Sequence, residues 1–71
     1  MTIEVRQLRY AVLTADMSSL SRAAAALNMR QATLSQRVTQ LEDQLGIKLF
    51  TRSTRGAEAT EMGKVFIESA R

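Results

Sequence analysis

From about Glu4 to Asp16, Val5, Leu8, Val12 and Ala15 recur at the spacing of one helical face. Tyr10, Leu13 and Met17 form a second stripe on another side of the same helix. A surface helix needs only one apolar stripe, so the second asks for a partner. Either this small domain covers both stripes, or another helix does, from a second chain or from further along this one. Met17-Ser18-Ser19 breaks the pattern, and Ser19 suits the N-cap of a second helix. In that helix Leu20, Ala23, Ala24 and Leu27 follow at i, i+3, i+4 and i+7. Asn28, which tolerates the left-handed conformation, marks its end.

The third helix, predicted from Gln31 to Leu45, has the cleanest pattern. At about 100° per residue, Leu34, Val38, Leu41 and Leu45 share an arc of roughly 60°. Ala32, Gln36, Thr39, Gln40 and Asp43 stand opposite, with Gln31 and Ser35 on the flank. Gly46 is a natural stop. Ile47, Leu49 and Phe50 then form an apolar patch, and the stretch to Ala59 fits two short strands joined by a turn containing Gly56. Thr60 predicts the N-cap of a last helix, with Glu61 in its first turn and Met62, Val65 and Phe66 on one face. No stop signal follows, so this helix is expected to run beyond the sequence.

Two helices joined by a tight turn, the second amphipathic with a polar outer face, describe a helix-turn-helix. Counting from Leu20, the motif needs a small residue at its fifth position and a turn-tolerant one at its ninth. It needs apolar residues at its eighth, tenth, fifteenth and nineteenth. Ala24, Asn28, Leu27, Met29, Leu34 and Val38 meet all of these. Ala24 leaves room for the helix crossing, and the apolar set holds the polar face of the second helix clear of the core.

Composition narrows the chemistry. The 71 residues are 45% hydrophobic and contain no cysteine, histidine or proline. Disulfides, thiolate zinc sites and imidazole catalysis are therefore excluded. With no paired carboxylates and no Gly-rich phosphate loop, no catalytic residue, metal ligand or cofactor is expected. No apolar run nears the roughly 18 residues of a membrane span, and no signal-peptide pattern opens the chain, so a cytoplasmic location is expected. Ten Lys and Arg against seven Asp and Glu give a net charge of +3. Eight of the ten are arginine, a bias suited to a phosphate-rich partner.

The outer face of the third helix carries the candidate base contacts Gln31, Ala32, Ser35 and Gln36. A glutamine amide matches adenine N6 and N7, serine is adaptable, and the Ala32 methyl suits a thymine methyl. Arg30 and Arg37 lie in the first half of this helix, while Glu42 and Asp43 near its end read as solvated charges held away from phosphate. Arg22, Arg30, Thr33, Arg37, Arg52, Thr54 and Arg55 are the candidate backbone and wing contacts, Arg52 and Arg55 flanking the polar turn. A protein-docking module is the rival reading. It would cluster apolar residues where DNA binding needs the arginines.

Leu8-Arg9-Tyr10, the segments Ser21 to Met29 and Leu34 to Glu42, Leu45-Gly46-Ile47-Lys48-Leu49-Phe50-Thr51-Arg52-Ser53, and Ala59-Thr60-Glu61-Met62-Gly63 together resemble the N-terminal domain of LysR-type transcriptional regulators. The resemblance implies a mainly α fold, a winged helix-turn-helix with a three-helix core and a two-stranded wing over residues 1–59. Residues 60–71 would begin a dimerising linker helix. It implies sequence-specific binding of pseudo-palindromic double-stranded promoter DNA as a homodimer or tetramer, with helix 31–45 in the major groove and wing 50–59 on the backbone or minor groove. A small-molecule effector would bind a C-terminal domain absent from this sequence. By position, the groove contacts of that family fall on Gln31, Ala32, Ser35 and Gln36, and its wing contact on Arg55. Tyr10, Leu13 and Met17 then suit packing against the linker helix. The chain departs from the family where Arg30 replaces a serine N-cap, Ala32 a proline and Gln36 an arginine. The last change favours adenine where arginine would favour guanine.

Overall fold

The computed structural model describes residues 3–54 and 56–71. Four helices and a two-stranded antiparallel sheet follow in the order α1 (Val5–Met17), α2 (Leu20–Ala26), α3 (Gln31–Leu45), β1 (Phe50–Ser53), β2 (Gly56–Ala59) and α4 (Glu61–Ala70). The punctuation follows local chemistry. Ser19 Oγ accepts from the Arg22 amide at 3.1 Å and caps α2, and Thr60 Oγ1 accepts from the Gly63 amide at 2.9 Å and caps α4. Asn28 takes a left-handed φ of 57° in the turn between α2 and α3, and Gly46 closes α3 at φ 72°. Arg30 stands at the α3 N-cap without a side-chain bond. Two devices were not read from the sequence: a capping box between Glu4 and Gln7, and a left-handed Ser18 closing α1.

The core gathers Ala11, Leu20, Ala23, Ala24, Leu34, Val38, Leu41, Leu49, Phe50, Ala57 and Ile67. α1 packs against α2, α3 and α4, with small residues where the helices meet. The face of α1 that points inward is not either predicted stripe. Ala11 and Thr14, between the two stripes, are fully buried, and Val5 is 81% exposed. Small side chains let neighbouring helices come close, and the Thr14 hydroxyl is satisfied by donating to the Tyr10 carbonyl at 2.8 Å. Tyr10, Leu13 and Met17 are half-buried and pack against the same core.

A second correction concerns α4. Gly63 and Ile67 are its buried residues, with Phe66 partly buried, whereas the predicted face members Met62 and Val65 are exposed. Gly63 lies so close to the strand entry that an added methyl would overlap the Leu49 carbonyl oxygen. That crossing brings Gly63 and Ile67 inward and leaves Met62 and Val65 outside.

In the wing, Phe50 faces Ala59 and Ser53 faces Gly56 across the ladder. Phe50 and Ala57 are buried in the core, while Thr51, Arg52 and Ser53 are exposed. The Ala57 amide donates to the Ser18 carbonyl at 3.1 Å, tying β2 to the end of α1. No described helix is long and apolar enough to cross a membrane.

Candidate nucleic-acid interface

α3 is held from one side and free on the other. Leu34, Val38 and Leu41 are buried, which fixes the rotation of the helix about its axis. That rotation leaves Gln31, Ala32, Gln36, Arg37, Gln40 and Asp43 exposed and Thr33, Ser35 and Thr39 half-buried on the flanks. The four candidate base contacts thus share the first two turns of one outward ridge.

The ridge has two different sides. On one, Gln31 and Ser35 line a polar cleft of about 400 Å³ with Ser19, Ser21, Arg52 and Thr54. On the other, Thr33 and Arg37 border a hollow toward Arg6 and Tyr10 of α1. There the Arg37 guanidinium donates to Gln40 Oε1 at 3.4 Å. Arg22 and Arg30 are exposed, at the start of α2 and at the entry to α3. Thr54 is exposed in the turn after β1, and Arg55 lies outside the described residues.

Arg52 is turned back onto α3. Its Nη1 donates to Ser35 Oγ at 2.7 Å and its Nη2 to Thr39 Oγ1 at 3.2 Å, with Glu42 Oε1 3.7 Å from Nη2. Ser35, Thr39 and Glu42 follow at i, i+4 and i+7, so they form one column of acceptors along the helix. A planar guanidinium can span such a column where a point-charge ammonium cannot.

Glu42 is the residue that the sequence reading misplaced. It is 5% exposed, not a solvated surface charge. Its Oε2 accepts from the Leu49 amide at 2.8 Å and the Phe50 amide at 3.2 Å. Its own carbonyl accepts from the Gly46 and Ile47 amides. Two buried amides at the strand entry would otherwise lack partners, and a carboxylate satisfies both at once. The signal lay in its helical angle, at the edge of the leucine arc and on the side of Ser35 and Thr39. Asp43, one residue on, is exposed as expected.

Among the described residues, the exposed large hydrophobics are Val5, Met62 and Val65, none of them on α3. Val5 lies at the start of α1 and Met62 and Val65 on α4, not beside the ridge where a protein dock would cluster apolar residues.

Comparison with known proteins agrees with this arrangement. Residues 5–64 match the family model for the bacterial regulatory helix-turn-helix protein, lysR family. The chain is 47% identical over 68 residues to the HTH-type transcriptional regulator BudR of Klebsiella aerogenes, covering 96% of this chain and 48% of BudR. It spans about half of that relative, and 30% of the regulator TfdT of Cupriavidus pinatubonensis, to which it is 41% identical. Among solved structures it is similar to the DNA-binding domain of CbnR bound to DNA, at a TM-score of 0.93 and 38% identity, covering 97% of this chain and 79% of that one. The DNA-binding domain of BenM bound to benA site 1 DNA aligns at a TM-score of 0.90 and 37% identity, covering 96% and 76% of the two chains. Fold, helix order, motif spacing and these likenesses converge, and the chain belongs to the LysR family of bacterial regulatory helix-turn-helix proteins.

Proposed function

We propose that this chain is the DNA-binding part of a transcriptional regulator and that α3 reads double-stranded DNA by sequence. One observation carries the reading. The amide-bearing ridge of Gln31, Ala32 and Gln36 is exposed while the opposite side of the same helix is locked into the core. A helix held in that way fits the major groove, where an amide can pair with a base edge. Its two sides would face the two phosphate rows. Arg22, Arg30, Thr33, Arg37, Thr54 and Arg55 would be the backbone contacts, and Arg52 binds the wing to the helix.

The whole protein, on this reading, works as a homodimer on pseudo-palindromic promoter DNA in the cytoplasm. Two copies of α3 would enter successive major grooves about 34 Å apart. α4 would be the start of a linker helix, its exposed Met62 and Val65 turned to a second copy. Tetramer assembly and a small-molecule effector would belong to the further domain that the longer relatives have room for.

Selection of bound sequences from random duplexes, at stated salt, tests the proposal. An enriched two-fold-related site is expected. Gln36→Ala should then cost about 1–3 kcal/mol on that site and relax preference at one base pair in each half. Recovery of no enriched sequence would remove the reading.

A further inference from the structure

The wing arginine and the ridge serine form a unit whose consequence lies in the direction of one hydroxyl proton. Arg52 Nη1 donates to Ser35 Oγ at 2.7 Å. A guanidinium has only donors, so the serine oxygen is the acceptor in this bond. A serine hydroxyl has one proton and two lone pairs. With one lone pair occupied by a cation, its O–H bond is polarised and becomes a stronger donor. The nearby positive charge also disfavours an approaching amino group. Ser35 stands half-buried on the rim of the cleft between ridge and wing, beside Gln31.

We propose that Arg52 is a positioning residue for sequence readout, setting Ser35 as a hydrogen-bond donor toward an acceptor on a base edge. This rests on the reading of α3 as the groove-entering helix. Base edges in the major groove differ in that respect: guanine offers N7 and O6, adenine N7, thymine O4, and cytosine an amino group. A serine set as a donor selects the acceptor-bearing edge, guanine above all, and rejects cytosine at that position. The other Arg52 partners make the setting rigid. Thr39 Oγ1 at 3.2 Å and the Glu42 carboxylate at 3.7 Å hold the guanidinium in one plane. Glu42 is itself anchored by the Leu49 and Phe50 amides. The charged side chain therefore acts through Ser35 rather than by neutralising a phosphate.

The test is a double-mutant cycle of Ser35→Ala with Arg52→Lys and with Arg52→Gln. Affinities are measured on the selected duplex, on duplexes changed at each base pair, and on duplexes with single 7-deazapurines. Ser35→Ala should lose roughly two- to tenfold discrimination at one position, the size of a single hydrogen bond. Both Arg52 variants should lose discrimination at that same position, and the double variants should lose no more there. Lysine keeps a cation opposite Glu42, so Arg52→Lys maintains the wing if the glutamine variant loosens it. An even loss over all duplexes, additive losses at different positions, or no effect of Ser35→Ala would overturn the positioning role. If the unmodified protein showed no preference among duplexes, the DNA reading itself would fall, and this role with it.

Discussion

Glu42 Oε2 accepts a hydrogen bond from the Leu49 amide at 2.8 Å, and this contact joins the end of α3 to the start of the wing. The same oxygen takes the Phe50 amide, while Oε1 faces Arg52. One side chain thus satisfies the strand entry and orients the arginine that reaches back along the helix.

Glu42→Ala should therefore destabilise the protein by about 2–3 kcal/mol, since it leaves two buried donors without a partner. In a domain of this size that corresponds to a fall in Tm of at least about 8 °C. Glu42→Gln keeps one acceptor oxygen and should lose less. Thermal denaturation of both variants checks the order, and equal melting of Glu42→Ala and the unmodified protein would contradict the burial argument.

Gly63→Ala separates local propensity from packing. Alanine is favoured over glycine within a helix by up to about 1 kcal/mol, so propensity alone predicts stabilisation. Here the added methyl meets the Leu49 carbonyl, a backbone atom that cannot swing aside. Destabilisation of about 1–3 kcal/mol is expected from chemical unfolding, and a gain in stability would show that α4 crosses the strand less closely.

Arg30→Ser should move stability and affinity in opposite directions. The N-cap position lacks a side-chain bond, and serine supplies one worth about 0.5–1 kcal/mol. If Arg30 contacts phosphate, its loss weakens binding evenly across sequences and lowers the log–log salt slope by about 1. An unchanged slope would remove Arg30 from the contact set.

Acid should loosen α4 from α1 through Asp16. The hydrogen bond from Arg71 holds the Asp16 carboxyl below its ordinary value of 3.8; desolvation opposes this and the Arg71 charge reinforces it. A carboxyl lowered in the folded state contributes stability above its unfolded value and loses it as pH falls through the folded one. Both groups are exposed, so the effect is small and fades with salt. An NMR titration should place the Asp16 midpoint below that of an aspartate in a model peptide and return it there in Arg71→Ala. A midpoint indifferent to Arg71 would dissolve the link.

Local chemistry by itself determined where the helices begin and end, through Ser19, Asn28, Gly46 and Thr60, and which side of α3 is apolar. Those features depend on residues within one turn of each other, and a single chain carries them without knowing its neighbours. Tertiary structure alone decided which side of α1 turns inward, choosing the small Ala11 and Thr14 over the bulkier stripes because close helix contact rewards small side chains. It alone turned α4 onto Gly63 and Ile67. It also drew Glu42 out of water, because the adjacent Leu49 and Phe50 amides at the strand entry needed an acceptor, and set Arg52 against Ser35. Periodicity fixes an angle about a helix axis, whereas burial depends on which other element arrives at that angle.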